Sequence, residues 1–168
     1  MLKKNIILIL LTGLILTSCE DDEPTNPPST LSLSSSSSSI TVGGSTTLSV
    51  ELADLETSIL GVSMQISYDA SVAEVDTTSG FEQGAYFGTN AISLFETVDN
   101  TVHFSISAIG GNMVSGNGKL CDFKVTGLST GTSTFTIVPE EIYFIDDNGD
   151  AVIITDLEVG DLTITISQ

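Results

Sequence analysis

Residues 61–68 read Gly-Val-Ser-Met-Gln-Ile-Ser-Tyr, with Val62, Met64, Ile66 and Tyr68 alternating against Ser63, Gln65 and Ser67. A period of two puts the two sets on opposite sides of an extended chain, so this stretch predicts a strand with one apolar and one polar face. The pattern recurs outward from it. Leu48, Val50 and Leu52 alternate upstream; downstream, Val102, Phe104, Ile106 and Ala108 alternate with His103, Ser105 and Ser107, and Leu162, Ile164 and Ile166 with Thr163, Thr165 and Ser167. Turn residues punctuate these runs: Gly43-Gly44, Gly110-Gly111-Asn112, Asn117-Gly118, Gly131, Asn148-Gly149 and Gly160. No sustained helical stripe is present. About nine short strands at this spacing predict an all-β fold, an antiparallel two-sheet sandwich. The serines over residues 34–39 have the composition of a linker, but Leu33 alternates before them and Ile40 and Val42 after them. They are read as part of the first strand pair, and the domain as residues 30–168.

Of 168 residues, 22 are Asp or Glu and four are lysines; arginine and tryptophan are absent. Residues 1–18 hold Lys3 and Lys4 and no acid, so without them the net charge moves from −18 to −20. Nucleic-acid binding is excluded on this balance, because phosphate neutralisation needs clustered Lys and Arg. Residues 1–18 read as an export signal: a lysine pair, then an apolar run over residues 6–16 that is too short to span a bilayer. The run ends in Leu16-Thr17-Ser18-Cys19, which resembles the lipobox of bacterial lipoproteins. This implies acylation of Cys19, and more than one acyl chain suffices for stable anchoring. The chain is therefore expected in the cell envelope, lipid-anchored, at the outer membrane and surface-exposed, touching the membrane through its anchor alone. Residues 19–29 form the linker. Its Glu20-Asp21-Asp22-Glu23 run has two readings, a solvated spacer or a resemblance to the acidic signal that sends lipoproteins of Bacteroidetes-type bacteria to the cell surface. With Cys19 lipidated, Cys121 has no disulfide partner and reads as a small buried apolar residue.

Longer blocks carry a family resemblance. Val42-Gly43-Gly44-Ser45 leads into Leu48-Ser49-Val50, and residues 60–75 read LGVSMQISYDASVAEV. Residues 116–125, GNGKLCDFKV, follow, then Gly131-Thr132-Ser133-Thr134-Phe135 and Asp161-Leu162-Thr163-Ile164. Together these resemble a cohesin domain, with Ala70 and Ala73 standing where the family pattern has proline and a bulkier apolar residue. The resemblance covers about residues 30–168. It implies a nine-stranded jelly-roll sandwich and noncatalytic binding of a dockerin-type partner protein through one flat sheet face. On that implication the binding residues are Ser63, Gln65, Ser67, His103, Ser105 and Ser107.

Other candidate sites have two readings each. Asp146, Asn148 and Asp150 supply oxygens at alternate positions, as at the start of a Ca²⁺ loop, but no glycine follows Asp150 and no glutamate falls at the twelfth position. The same residues also suit a hairpin turn built on Asn148-Gly149. Phe81, Tyr86 and Phe87 suit either a sugar-stacking platform or a cap on the core. No Ser-His-Asp order, carboxylate pair or phosphate loop is present, so no catalytic site is expected and no cofactor is required, with Ca²⁺ the one candidate. The expected function is a cell-surface docking module acting as a monomer. The alternatives are a polysaccharide-binding lipoprotein and an adhesive envelope protein without a defined ligand.

Overall fold

The computed structural model describes residues 26–168; the export signal over residues 1–18, Cys19 and the acidic run over residues 20–23 lie outside the described residues. In chain order the strands are β1 (Thr30–Ser35), β2 (Ser39–Thr41), β3 (Ser45–Ile59), β4 (Gly61–Ser67), β5 (Ala73–Val75), β6 (Phe81–Gln83) and β7 (Ala91–Val98). They continue with β8 (Thr101–Ala108), β9 (Val114–Gly127), β10 (Gly131–Ile137), β11 (Tyr143–Ile145), β12 (Ala151–Val152), β13 (Glu158–Val159) and β14 (Leu162–Ser167). A single 3₁₀ turn, Pro139–Glu141, precedes β11.

The strands form two sheets, in the all-β jelly-roll sandwich that the alternation and the resemblance predict. One sheet runs β13-β1-β3-β9, with β5 and β6 both paired along the outer edge of β9. The other runs β7-β8-β4; β11 and β10 then share the far edge of β4, and β14 and β2 follow β10. Pairing is antiparallel except at β1/β13 and β14/β2, two short parallel additions that the alternation did not disclose. These additions follow from the chain's route. β1 lies in the first sheet and β2 in the second, so the chain crosses between layers at its start. The serines make that corner: Ser36 Oγ and Thr46 Oγ1 are 3.0 Å apart, and Thr46 Oγ1 accepts from the Ser37 N–H at 3.0 Å. Thr46 is buried, and these bonds satisfy it.

Between the layers the aromatic rings form a chain. Phe81 stacks on Phe95 at 4.6 Å, Phe95 meets Phe123 at 5.3 Å, Phe123 meets Phe135 at 6.4 Å, and Phe135 stacks on Tyr68 at 5.4 Å. Offset and tilted ring pairs at such spacings add to their area burial. At Leu120-Cys121 the pairing with β3 slips, Val50 facing Cys121 and Glu51 facing Lys119. The extra residue turns both Leu120 and Cys121 inward, so two consecutive side chains are fully buried. Burial pushes the Cys121 thiol pKa well above its ordinary value, which leaves it an inert core group.

The loop before β7 closes one end of the core. The Gly84 and Tyr86 N–H groups donate to Leu120 O and Lys119 O at 2.8 and 3.1 Å. Gly84 is required here, because a Cβ at that position would stand 2.1 Å from Lys119 O. Tyr86 and Phe87 pack edge to face at 5.0 Å and are buried, so they cap the core.

Candidate functional site

Strand β4 pairs with β8 over its whole length, Gly61 facing Ser107, Ser63 facing Ser105, Gln65 facing His103 and Ser67 facing Thr101. This register brings all six polar residues singled out from the sequence onto one solvent-facing surface. The flanking strands extend it. β7 sets Ile92 beside Ser107, Leu94 beside Ser105 and Glu96 beside His103. On the other side, β11 sets Tyr143 beside Ser63 and Ile145 beside Gly61.

The surface therefore reads in rows across four strands. The first row is Ile92, Ser107, Gly61, Ile145; the second is Leu94, Ser105, Ser63, Tyr143. In the third row Glu96 and His103 meet Gln65, whose Nε2 donates to Glu141 Oε2 at 3.1 Å. The centre is low because it is built from serines and a glycine, and the flanks are high because they are built from large apolar side chains. The result is a trough of about 440 Å³ with a hydroxyl floor and apolar walls. Its walls are unusually bare: Ile92 is 65% exposed, Leu94 59% and Tyr143 53%. Ile92 and Leu94 on one side and Tyr143 on the other thus give the trough exposed apolar flanks.

The floor is held by hydrogen bonds. Ser105 Oγ donates to Ser63 Oγ at 2.8 Å, Ser107 Oγ to Leu60 O at 3.3 Å, and Ser67 Oγ to Thr136 O at 3.4 Å. The charge around it has one sign. Lys119 and Lys124, the lysines of the described residues, both lie on β9 in the other sheet, and Lys119 is paired with Asp122 at 2.8 Å. On the β7-β8-β4-β11 sheet and its turns the formal charges are Glu96, Asp99, Glu140, Glu141 and the aspartates after β11.

The polar residues were legible in the sequence as the outward set of two alternating strands. The apolar walls were not. In β7 the set Ile92, Leu94 and Val98 looks like a core face, yet it points to solvent while Phe95, from the other set, enters the core. Tyr143 gives no signal of its position until β11 is placed against β4.

Asp146, Asn148 and Asp150 lie in the turn between β11 and β12. Asp146 Oδ1 accepts from the N–H groups of Asn148 and Asp150, both at 2.9 Å, and Gly149 takes φ 81°. The N–H of Asp150 above all holds the Asp146 carboxyl below the usual carboxylate range. That oxygen is thus engaged within its own turn. Among the described residues no three His, Cys, Asp or Glu side chains converge as a metal-binding set.

Comparison with known proteins bears on the family and the fold. The profile of the family described as "Cohesin domain" matches residues 29–166. No curated protein matches the chain. Among solved structures, the chain is similar to a non-cellulosomal cohesin from the archaeon Archaeoglobus fulgidus, with 19% identity over 84% of this chain and 92% of that one, at a TM-score of 0.65. It is also similar to a type II cohesin domain from the cellulosome of Acetivibrio cellulolyticus, with 19% identity, 82% and 95% coverage and a TM-score of 0.70. A third is a cohesin of the same organism solved in complex with a dockerin, with 11% identity, 83% and 99% coverage and a TM-score of 0.67. At these identities the likeness is one of fold. Together with the family match across both sheets, it shows that the chain belongs to the cohesin domain family, a family of noncatalytic binding modules.

Proposed function

We propose that the chain is a surface-anchored docking module that captures a dockerin-type partner protein in the trough between β7 and β11. The observation that carries this reading is the trough itself: an apolar-walled, hydroxyl-floored depression on the solvent face of a sheet, with Ile92, Leu94 and Tyr143 exposed. A partner helix or turn burying one or two apolar side chains between those walls would gain its affinity there, and Ser63, Gln65 and Ser105 would fix its orientation. One cohesin of similar fold was solved with a dockerin bound. That pairing belongs to that protein, and its extension to this chain is part of the proposal.

Acylation at Cys19 would tether the module, and the linker over residues 19–29 would hold it clear of the bilayer. Tethering confines a captured partner near the membrane and raises its effective concentration there. The acidic surroundings of the trough would speed the approach of partners with a basic patch, an effect that falls with salt.

The test is a pull-down from lysate of the source organism with the chain from Glu20 onward, run with and without Ca²⁺, beside its Leu94→Asp variant. Retention of one protein that carries paired acidic loops, lost in Leu94→Asp and dependent on Ca²⁺, is the expected result. Calcium enters through the partner, whose loops need the metal to fold. An empty column under all conditions overturns the docking reading. Binding to a glycan array that Tyr143→Ala abolishes would replace it with a polysaccharide-binding one.

A further inference from the structure

The sheet that carries the trough ends in β7, and this edge differs from the others. The other terminal strands, β2, β5, β6, β12 and β13, have two or three residues each. Short edges are one of the ways proteins avoid unwanted strand addition. β7 has eight residues and pairs with β8 without a register break.

The direction of its backbone groups follows from that register. The Ile109 N–H donates to Asn90 O at 2.7 Å, so hydrogen-bonded pairs recur at Ile92/Ser107, Leu94/Ser105, Glu96/His103 and Val98/Thr101. The last pair flanks the two-residue turn Asp99-Asn100, whose φ values of 52° and 50° fit the tight hairpin type. The N–H and C=O groups of Ala91, Ser93, Phe95 and Thr97 consequently point away from β8. Among the described residues nothing bonds them. The strand also lacks proline, lysine and a bulge, the devices that commonly blunt an edge.

We infer that β7 is a strand-addition site for an extended partner segment that carries apolar residues and a Lys or Arg together on one face, at every second position. The free backbone groups would supply the ladder, as in other β-augmented complexes. Side chains of the added strand would lie beside Ile92, Leu94 and Val98, which are exposed, and beside Glu96. Charge selects the occupant. Glu96 has no lysine near it on this sheet, whereas a second copy of the chain would bring another highly acidic domain and no lysine on the facing edge. The site is built on the edge-facing backbone groups of Ala91, Ser93, Phe95 and Thr97, whereas the trough is lined by side chains on the face of the sheet.

The experiment is residue-resolved amide hydrogen exchange on the chain from Glu20, which contains every described residue. The probe is an acetylated peptide Thr-Val-Thr-Val-Thr-Lys-Thr-Val-Thr (the Lys/Val peptide), with its Lys→Glu counterpart (the Glu/Val peptide) as control. The expected result is at least tenfold slower exchange at Ser93, Phe95 and Thr97 with the Lys/Val peptide, no change at Leu94 and Glu96, and no effect of the Glu/Val peptide. Ser93→Pro removes an edge-facing N–H without touching the β8 ladder and should abolish the effect; Thr97→Pro serves if Ser93→Pro does not fold. Tyr143→Ala, which strips one wall of the trough, should leave it intact. Unchanged exchange at all three residues overturns the proposal, and so does equal slowing by both peptides. Slow exchange already in the free chain that tracks its concentration also overturns it, by assigning the edge to a second copy.

Discussion

Ser105 Oγ donates its proton to Ser63 Oγ, 2.8 Å away across the β8–β4 pair, at the floor of the trough. That leaves the Ser63 proton free to point outward, toward whatever the trough holds. Replacing Ser63 with Ala removes this outward donor and leaves Ser105 without its acceptor. Partner affinity should fall about threefold to tenfold, the worth of one hydrogen bond, or about 0.5–1.5 kcal/mol. Thermal unfolding should move by only a few degrees, because both serines are half-exposed and water replaces the lost bond. A binding titration beside a melting curve checks both parts.

Leu94 and Phe135 separate docking from folding. Leu94 is exposed on β7, so Leu94→Asp should leave the denaturant midpoint nearly unchanged while weakening capture by more than tenfold, since a carboxylate in the wall must be desolvated when the trough fills. Phe135 is fully buried between Tyr68 and Phe123, so Phe135→Ala should cost about 3–5 kcal/mol of stability. Urea unfolding of the two variants should show these opposite profiles.

The Tyr86 hydroxyl is buried and unpaired, and burial pushes its pKa up to about 12. The folded state thus holds the proton more tightly than the unfolded chain, where tyrosine titrates near its ordinary 10.0. The stability this contributes is fully present below about pH 10 and is lost as pH rises toward about 12. Tyr86→Phe should flatten that alkaline decline and, by removing an unsatisfied polar atom, raise stability near neutrality by about 1 kcal/mol. Tyrosinate absorbance followed through an alkaline titration reads the first effect, and urea unfolding at pH 7 the second.

Asp76 behaves in the opposite sense. Its carboxylate accepts from the N–H groups of Ser79 and Thr78 and from both hydroxyls, at 2.9–3.0 Å, and these bonds hold its pKa well below the usual carboxylate range. A lowered carboxyl pKa adds stability above the unfolded value, and that stability is lost as pH falls through the folded one. Unfolding monitored from about pH 5 down to about pH 2, a window that brackets the ordinary carboxylate range, should show wild type losing stability more steeply than Asp76→Asn. Parallel curves would mean that the turn over residues 76–79 does not govern acid sensitivity.

The two halves of the candidate site differed in how far they could be read from the sequence. Ser63, Gln65 and Ser67 alternate with apolar residues in one strand and His103, Ser105 and Ser107 do so in another, so the outward face of each strand is legible from its own pattern. The register between them, Ser63 opposite Ser105, depends on contacts between residues some forty positions apart and has no local signature. The walls were harder still. Ile92 and Leu94 face solvent because Phe95, on the opposite parity, is taken up by Phe81 and Phe123 in the core. When both faces of a strand carry apolar side chains, alternation alone does not say which one is buried.

The sequence by itself determined the two-faced strands, the sandwich class, the polarity of the central surface, the acidic charge and the burial of Cys121. Each follows from local composition and period, because a strand's own pattern states that it has a dry and a wet side. Only the tertiary structure decided the order of strands, and with it the trough and the open edge of β7. Pairing is a competition among distant segments of similar pattern, and it is settled by how the aromatic and aliphatic side chains of both sheets fill one shared interior. That shared interior drew Phe95 inward and left Ile92 and Leu94 in water.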